Sequence, residues 1–487
     1  MGMSELSNVE EVNLTKTAFG ALNVAQLRPY VLVSPVRGLE ERLFETYTSG
    51  TASFAGAVDN APGREFGVSS GTSVGGYGVL RSKKVLSYKP GIGSLVRFTG
   101  RFSAPAANAI QRVGLMNIGN ELSFGYNGTT FGILHKSGGR PEMRTLTITN
   151  PANSNQTLTV TLNGSATSLS VTNGTAAHNA FQIAATSFTG WIVYNIGSTV
   201  VFEAKSTGAK TGTYSVTSTG GFTGTFAQTY AGATETDNHI PQSTWNKKTL
   251  LNGDFILDPS KGNVFQVQFQ YLGYGCLKFY VENPNIGAFE LVHEIQYANA
   301  NTRPHTDLPE FKLGIIAASL GSTTNVSTYT ASMAGFWENQ DEFPSKVHSV
   351  SGAQSGIGTT LTNVLAIKKT SLANDRLHIT DQKMYELTAS SEATKPVFFE
   401  VRLNPTFSAE TQWESVDEDV PIIATSTGGT VSGGELVYAI ALSKSSNIAI
   451  SLDDLDIIMS NDDVLSIAAK ATNGTVDANA SIVWGEP

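Results

Sequence analysis

The chain has 487 residues, of which 40% are hydrophobic and only 15% charged, with 48 glycines and a formal net charge of −9. That length exceeds what one hydrophobic core organises, so about two to four domains are expected. The acidic balance argues against nucleic-acid binding as the main role, and so little charge among so much Gly, Ser and Thr is unlike a helical cytosolic enzyme.

Residues 1–40 read as an N-terminal arm. Glu10, Glu11, Thr15 and Lys16 are polar, and residues 26–36 are short and extended, with Pro29 and Pro35. Such an arm docks on a neighbouring subunit or forms an edge strand of its own domain, and the sequence leaves both open. The start, Met1-Gly2-Met3-Ser4-Glu5-Leu6, lacks the basic and apolar regions of a signal peptide. Leu6 stands where N-myristoylation wants Ser or Thr. No stretch approaches the ~20 apolar residues of a membrane span, so membrane insertion is not expected.

In residues 41–143, Ser94, Val96, Phe98, Gly100 and Phe102 alternate with Leu95, Arg97, Thr99 and Arg101. Residues 111–118 form another predicted strand, and residues 122–126 and 130–135 a hairpin around Asn127-Gly128. The glycine-rich stretch 71–78 lacks the Lys-Ser/Thr of a phosphate loop. From Arg144 to about residue 236, Thr, Ser, Asn and Gly dominate. Short strands are predicted there, with one helix over 175–186, where Ala176, Ala177, Ala180, Ile183 and Ala184 fall on helical spacing. Asn127 and Asn163 open Asn-x-Ser/Thr sequences, but both precede Gly, and turn chemistry accounts for them.

Residues 263–297 read as a three-stranded meander. Phe265, Val267, Phe269 and Tyr271 alternate with Gln266, Gln268 and Gln270, and Leu277, Phe279 and Val281 with Lys278, Tyr280 and Glu282. Phe289, Leu291, His293, Ile295 and Tyr297 make the third apolar row, after the turn Asn283-Pro284-Asn285-Ile286-Gly287. A period of two puts the apolar row on one face and the amide row on the other. The apolar face then needs a second sheet over it. Residues 312–319 and 329–337 are further strands, and 338–344 a linker. Beyond it, Val397, Phe399, Val401 and Leu403 alternate with Phe398, Glu400 and Arg402 in a second β-domain.

The fold class is therefore all-β. A concanavalin- or lectin-like jelly-roll β-sandwich is built from residues 41–143 and 239–338. An inserted small β-rich domain occupies 144–238, and a C-terminal β-sandwich 345–487.

Sandwiches of the first kind include legume-lectin-like glycan binders and some glycoside hydrolases. A hydrolase needs two facing carboxylates about 5–9.5 Å apart. Glu290 and Glu294 share a face on the expected strand but would lie ~13 Å apart, so no catalytic residues are assigned. His293, in the apolar row, reads as a semi-buried histidine bonded to a backbone carbonyl. The polar loop carrying Asn299, Asn301, His305 and Asp307 is the candidate glycan or cation site. The acidic loops Asp417-Glu418-Asp419, Asp453-Asp454-Leu455-Asp456 and Asp462-Asp463 lack the spacing of a calcium helix–loop–helix. They read as solvated turns; no cofactor is expected, with structural calcium left open. Cys276 is the one cysteine, which excludes an intrachain disulfide and fits a packed residue better than a reactive thiol.

Several runs resemble a group of virion structural proteins of tailed bacteriophages and some large DNA viruses. They are Thr17-Ala18-Phe19-Gly20-Ala21-Leu22-Asn23-Val24-Ala25, Leu80-Arg81-Ser82-Lys83-Lys84-Val85-Leu86, Phe124-Gly125-Tyr126-Asn127-Gly128 and Val292-His293-Glu294-Ile295-Gln296-Tyr297. The stretch Val201-Phe202-Glu203-Ala204-Lys205 is similar to small domains of phage tail and surface proteins. The resemblance implies a non-enzymatic virion structural protein, exposed as capsid decoration or head fibre, or as a tail or neck appendage. Its implied partners are major capsid, neck or tail proteins. Synthesis in the host cytoplasm, assembly into the virion and a homo-oligomer, by analogy a trimer, follow from it. The group carries no agreed catalytic residues. The alternative is a glycan-binding adhesin or receptor-binding tail fibre protein that recognises a host surface glycan; a glycan hydrolase ranks below it for want of a facing carboxylate pair.

Overall fold

A computed structural model describes residues 27–40, 43–55, 64–338, 346–373, 376–391 and 395–485. Most of the predicted arm and linker, residues 1–26 and 339–344, lies outside the described residues. The chain divides into two compact units, Met1–Gly138 with Glu235–Glu342, and Gly139–Thr234 with Phe343–Pro487. Its architecture is all-β, as the alternating rows require.

The first unit is two antiparallel sheets, face to face. One runs from Ala288–Ile295 through Leu277–Asn283 and Asn263–Phe269 to Ser94–Phe102. The long strand Ser94–Phe102 then pairs with Met333–Trp337 along one half and with Ser327–Thr330 along the other. The second sheet has seven strands, in the order Thr236–Pro241, Thr130–Ser137, Glu121–Asn127, Ala109–Met116, Lys312–Ser319, Tyr77–Ser82 and Phe44–Ser49. Phe265, Val267 and Phe269 point into the core, at 0%, 0% and 2% exposure. There Phe124 stacks on Phe265 at 4.5 Å, with Phe98, Phe279 and Trp245 around the pair. Arg28–Val33 pairs with Met333–Trp337, so this end of the predicted arm is a strand of its own sandwich.

One expectation for the meander needs correction, and its amide row holds a further feature. Gln266 and Gln268, on the face opposite the Phe265 row, are only 6% and 2% exposed. Arg97 donates to Gln266 at 2.9 Å, and Gln268 donates to Glu338 at 2.5 Å, so a polar layer covers this face. The third row does not alternate throughout, because the register between Leu277–Asn283 and Ala288–Ile295 shifts by one residue. Val292 is the extra residue of this β-bulge, and a bulge turns the residues on its two sides to opposite faces. His293 lies opposite core-facing Phe279, whereas Leu291 lies opposite Tyr280 and Phe289 opposite Glu282.

In the second unit, the inserted segment has a four-stranded sheet, Trp191–Ile196, Thr199–Thr207, Pro141–Asn150 and Thr223–Tyr230, and a three-stranded one. Between them sits a core of its own around Leu146, Leu158, Val160, Ile183 and Phe202. The helix is Ala176–Ala184, and the Thr175 side chain accepts from the His178 N–H at its N-terminus. Asn163 and Gly164, with φ of 51° and 84°, form the left-handed turn that Asn-Gly favours. The C-terminal sandwich pairs a five-stranded with a six-stranded sheet, and Val397–Leu403 alternates as expected. Residues 235–241 return to the first unit, where Thr236 pairs with Ser137. The Thr- and Ser-rich composition ends at about residue 236, close to that return, which comes a few residues before the expected boundary at 238.

Candidate functional site

The loop after residue 297 divides the four predicted site residues. Asn299, Asn301 and Asp307 are exposed, whereas His305 is wholly buried. The His305 ring lies between Tyr271, 5.2 Å away, and Tyr297, 5.6 Å away. Its Nδ1 meets the Thr306 hydroxyl at 2.8 Å, and its carbonyl meets His135 Nε2 at 2.7 Å. Burial, with His135 alongside, brings the His305 imidazole down to about 3. His305 is thus a neutral packing residue that shapes the loop from beneath, not part of its exposed polar set.

That packing carries an aromatic shelf. Tyr88 lies 4.9 Å from Tyr271 in an edge contact. The Tyr271 and Tyr274 hydroxyls donate to the carbonyls of Thr306 and Thr302, at 2.8 and 3.2 Å, and so pin the strand end and turn to the loop. Tyr274 is 38% exposed, and Tyr88, Tyr271 and Tyr297 are half-buried. Apolar ring faces beside exposed amides and one carboxylate form a surface suited to sugar rings and their hydroxyls.

The remaining candidates resolve differently. Glu290 lies opposite Val281 and Glu294 opposite Lys278, so the bulge places them on different faces and removes the pair sequence had placed on one. Each meets a lysine instead, Lys248 at 2.7 Å and Lys247 at 3.1 Å. His293 Nδ1 accepts from the Asn246 N–H at 3.1 Å, a backbone amide rather than the expected carbonyl. Cys276 meets Glu294 at 2.9 Å, and burial, with that carboxylate, pushes its thiol up to about 12, away from nucleophilic chemistry. In the acidic loops, Asp417 takes the Asp419 N–H, and Asp463 takes the Ser460 N–H and the Asn404 amide. Among the described residues, no group of three or more His, Cys, Asp or Glu is placed to hold a metal ion. No helix of the described residues is long and apolar enough to cross a membrane.

Sequence reasoning missed one further feature, on the outer face of the seven-stranded sheet. Arg112 lies opposite Gly125, and Gly125 opposite Gly132. A Cβ on Gly125 would fall 1.9 Å from the Gln111 carbonyl oxygen, and one on Gly132 2.9 Å from His239 Nε2. Arg112 is 2% exposed and has Glu121 3.9 Å away. Burial, then Arg112, brings His239 down to about 4. The available signal was glycine inside strands, which marks close approach of another group.

No protein-family model matches the chain, and no curated protein matches it. Among solved structures, the chain is similar to arcelin-5, a lectin-like defense protein from Phaseolus vulgaris, at 9% identity and a TM-score of 0.21, over 61% of this chain and 100% of that one. It is similar to the binding domain of botulinum neurotoxin DC in complex with SialylT, at 9% identity and a TM-score of 0.23, over 89% and 93%. For the botulinum neurotoxin serotype D binding domain the values are 8%, 0.24, 88% and 91%. The fold class stands on strand order and register themselves.

Proposed function

We propose that this protein is a non-enzymatic structural component displayed on a virus particle, and that its first sandwich binds a surface glycan of the host. The observation that carries the binding role is the shelf of Tyr88, Tyr271, Tyr274 and Tyr297 beside exposed Asn299, Asn301 and Asp307. The virion role is supported by the sequence runs that resemble phage structural proteins. Its partners are then capsid, neck or tail proteins and further copies of the same chain.

A glycan array with the purified full-length protein tests the binding role. Each stacked ring contributes on the order of 1 kcal/mol, so Tyr271→Ala with Tyr274→Ala should weaken a bound glycan by about tenfold or more. Circular dichroism of the variant should be unchanged. An array with no bound glycan, or undiminished binding by the folded variant, overturns the assignment. Electron cryomicroscopy of assembled particles tests the virion role separately, since it requires density for this chain on the particle.

A further inference from the structure

Within the second unit, the inserted segment meets the C-terminal sandwich along a mixed seam. Tyr194 and Val201 of the insert pack with Ala366, Trp413 and Ile423. The Gly197 N–H donates to the Trp413 carbonyl at 2.8 Å. Glu203, on Thr199–Thr207, is 6% exposed and accepts from the Ser371 hydroxyl. At another point, His178 Nδ1 meets Glu410 Oε2 at 2.6 Å.

The charged and titratable groups that act on Glu203 come from several elements. Tyr194 lies on Trp191–Ile196, Lys368 and Lys369 on Thr362–Lys369, and Asp462 in the turn before Val464–Ala471. Lys368 Nζ is 3.7 Å from Asp462 and 5.1 Å above the Tyr194 ring. Lys369 Nζ donates to the His378 carbonyl at 3.2 Å and to Asn461. Both lysines are thus engaged away from the Glu203 carboxyl as well as acting on it through space. Burial dominates and pushes Glu203 up to about 7, against the Ser371 hydrogen bond and the two lysines. Burial also raises Asp462 and lowers Lys368.

We propose that this seam is a pH-responsive latch, which holds the insert on the C-terminal sandwich while Glu203 is neutral and loosens when Glu203 ionises. A group raised on folding stabilises most below its ordinary value and loses that contribution as pH rises through the folded one. For Glu203 the loss therefore runs from about pH 4.5 to beyond pH 7.

Hydrogen exchange of the full chain, corrected for the intrinsic pH dependence, tests the latch at pH 5.5, 7 and 8.5. Protection in residues 191–204 and 407–425 should fall by about tenfold or more between the extremes, with residues 263–283 as the unchanged control. Glu203→Gln should leave the seam protected at pH 8.5, and His178→Gln should retain most of the pH response. Seam protection that stays constant or rises with pH overturns the proposal. So does an unaltered pH profile in folded Glu203→Gln; should that variant not fold, the wild-type profile decides.

Discussion

The interior of the first sandwich and the seam of the second unit are both buried, but by opposite means. The first is closed by hydrocarbon and ring packing, with Phe124 on Phe265 at its centre and Val113, Leu115 and Ile315 around them. The seam has a handful of apolar side chains and, among them, a buried carboxyl, two lysines and a histidine–carboxylate contact. Burial of hydrocarbon yields stability indifferent to protons. Burial of a carboxyl makes stability a function of how often that group is neutral.

The largest expected effect tests the apolar half of this contrast. Phe265→Ala should cost on the order of 3–5 kcal/mol in the unfolding transition of the first unit. The cost should be the same at pH 5.5 and pH 8.5; a difference beyond about 1 kcal/mol would break the contrast. Next comes the second unit itself. Raising Glu203 from 4.5 to about 7 makes its stability fall by on the order of 3 kcal/mol from acid to alkaline pH, and denaturant titrations across that range measure it. Glu203→Gln should flatten most of that slope. The smallest effect is local: Thr175→Ala removes the oxygen that accepts from the His178 N–H and should cost ~1 kcal/mol.

What sequence made legible was local and periodic. The rows Phe265, Val267, Phe269 and Leu277, Phe279, Val281 face the core as alternation requires. The helix over Ala176–Ala184 and the turn at Asn163 and Gly164 follow from spacing and residue chemistry. Three features were hidden for a common reason, that they depend on distant partners. Val292 continues an alternating pattern on paper, and only pairing with the neighbouring strand shows that it is extra. Gln266 and Gln268 are buried because Arg97 arrives from a neighbouring strand and Glu338 from the bend after Met333–Trp337. Glu203 finds Ser371 from 168 positions away. Of the candidate site, the exposure of Asn299, Asn301 and Asp307 was legible; the inward turn of His305 was not, because Tyr271, Tyr297 and His135 converge on it only in the fold.

The pairing of Ser137 with Thr236 has a consequence for how this molecule can change. The chain leaves the first sandwich and comes back on the adjacent strand, a separation of about 5 Å. The entropic cost of holding two such points together grows only with the logarithm of the tether, about 0.6 kcal/mol per doubling of its length. To the sheet, residues 138–235 are therefore a nearly length-neutral cassette. Replacement of that cassette by a longer, shorter or unrelated module leaves the strand register of Thr130–Ser137 and Thr236–Pro241 to decide the fold. Such a position lets one scaffold exchange what it carries without renegotiating its own core.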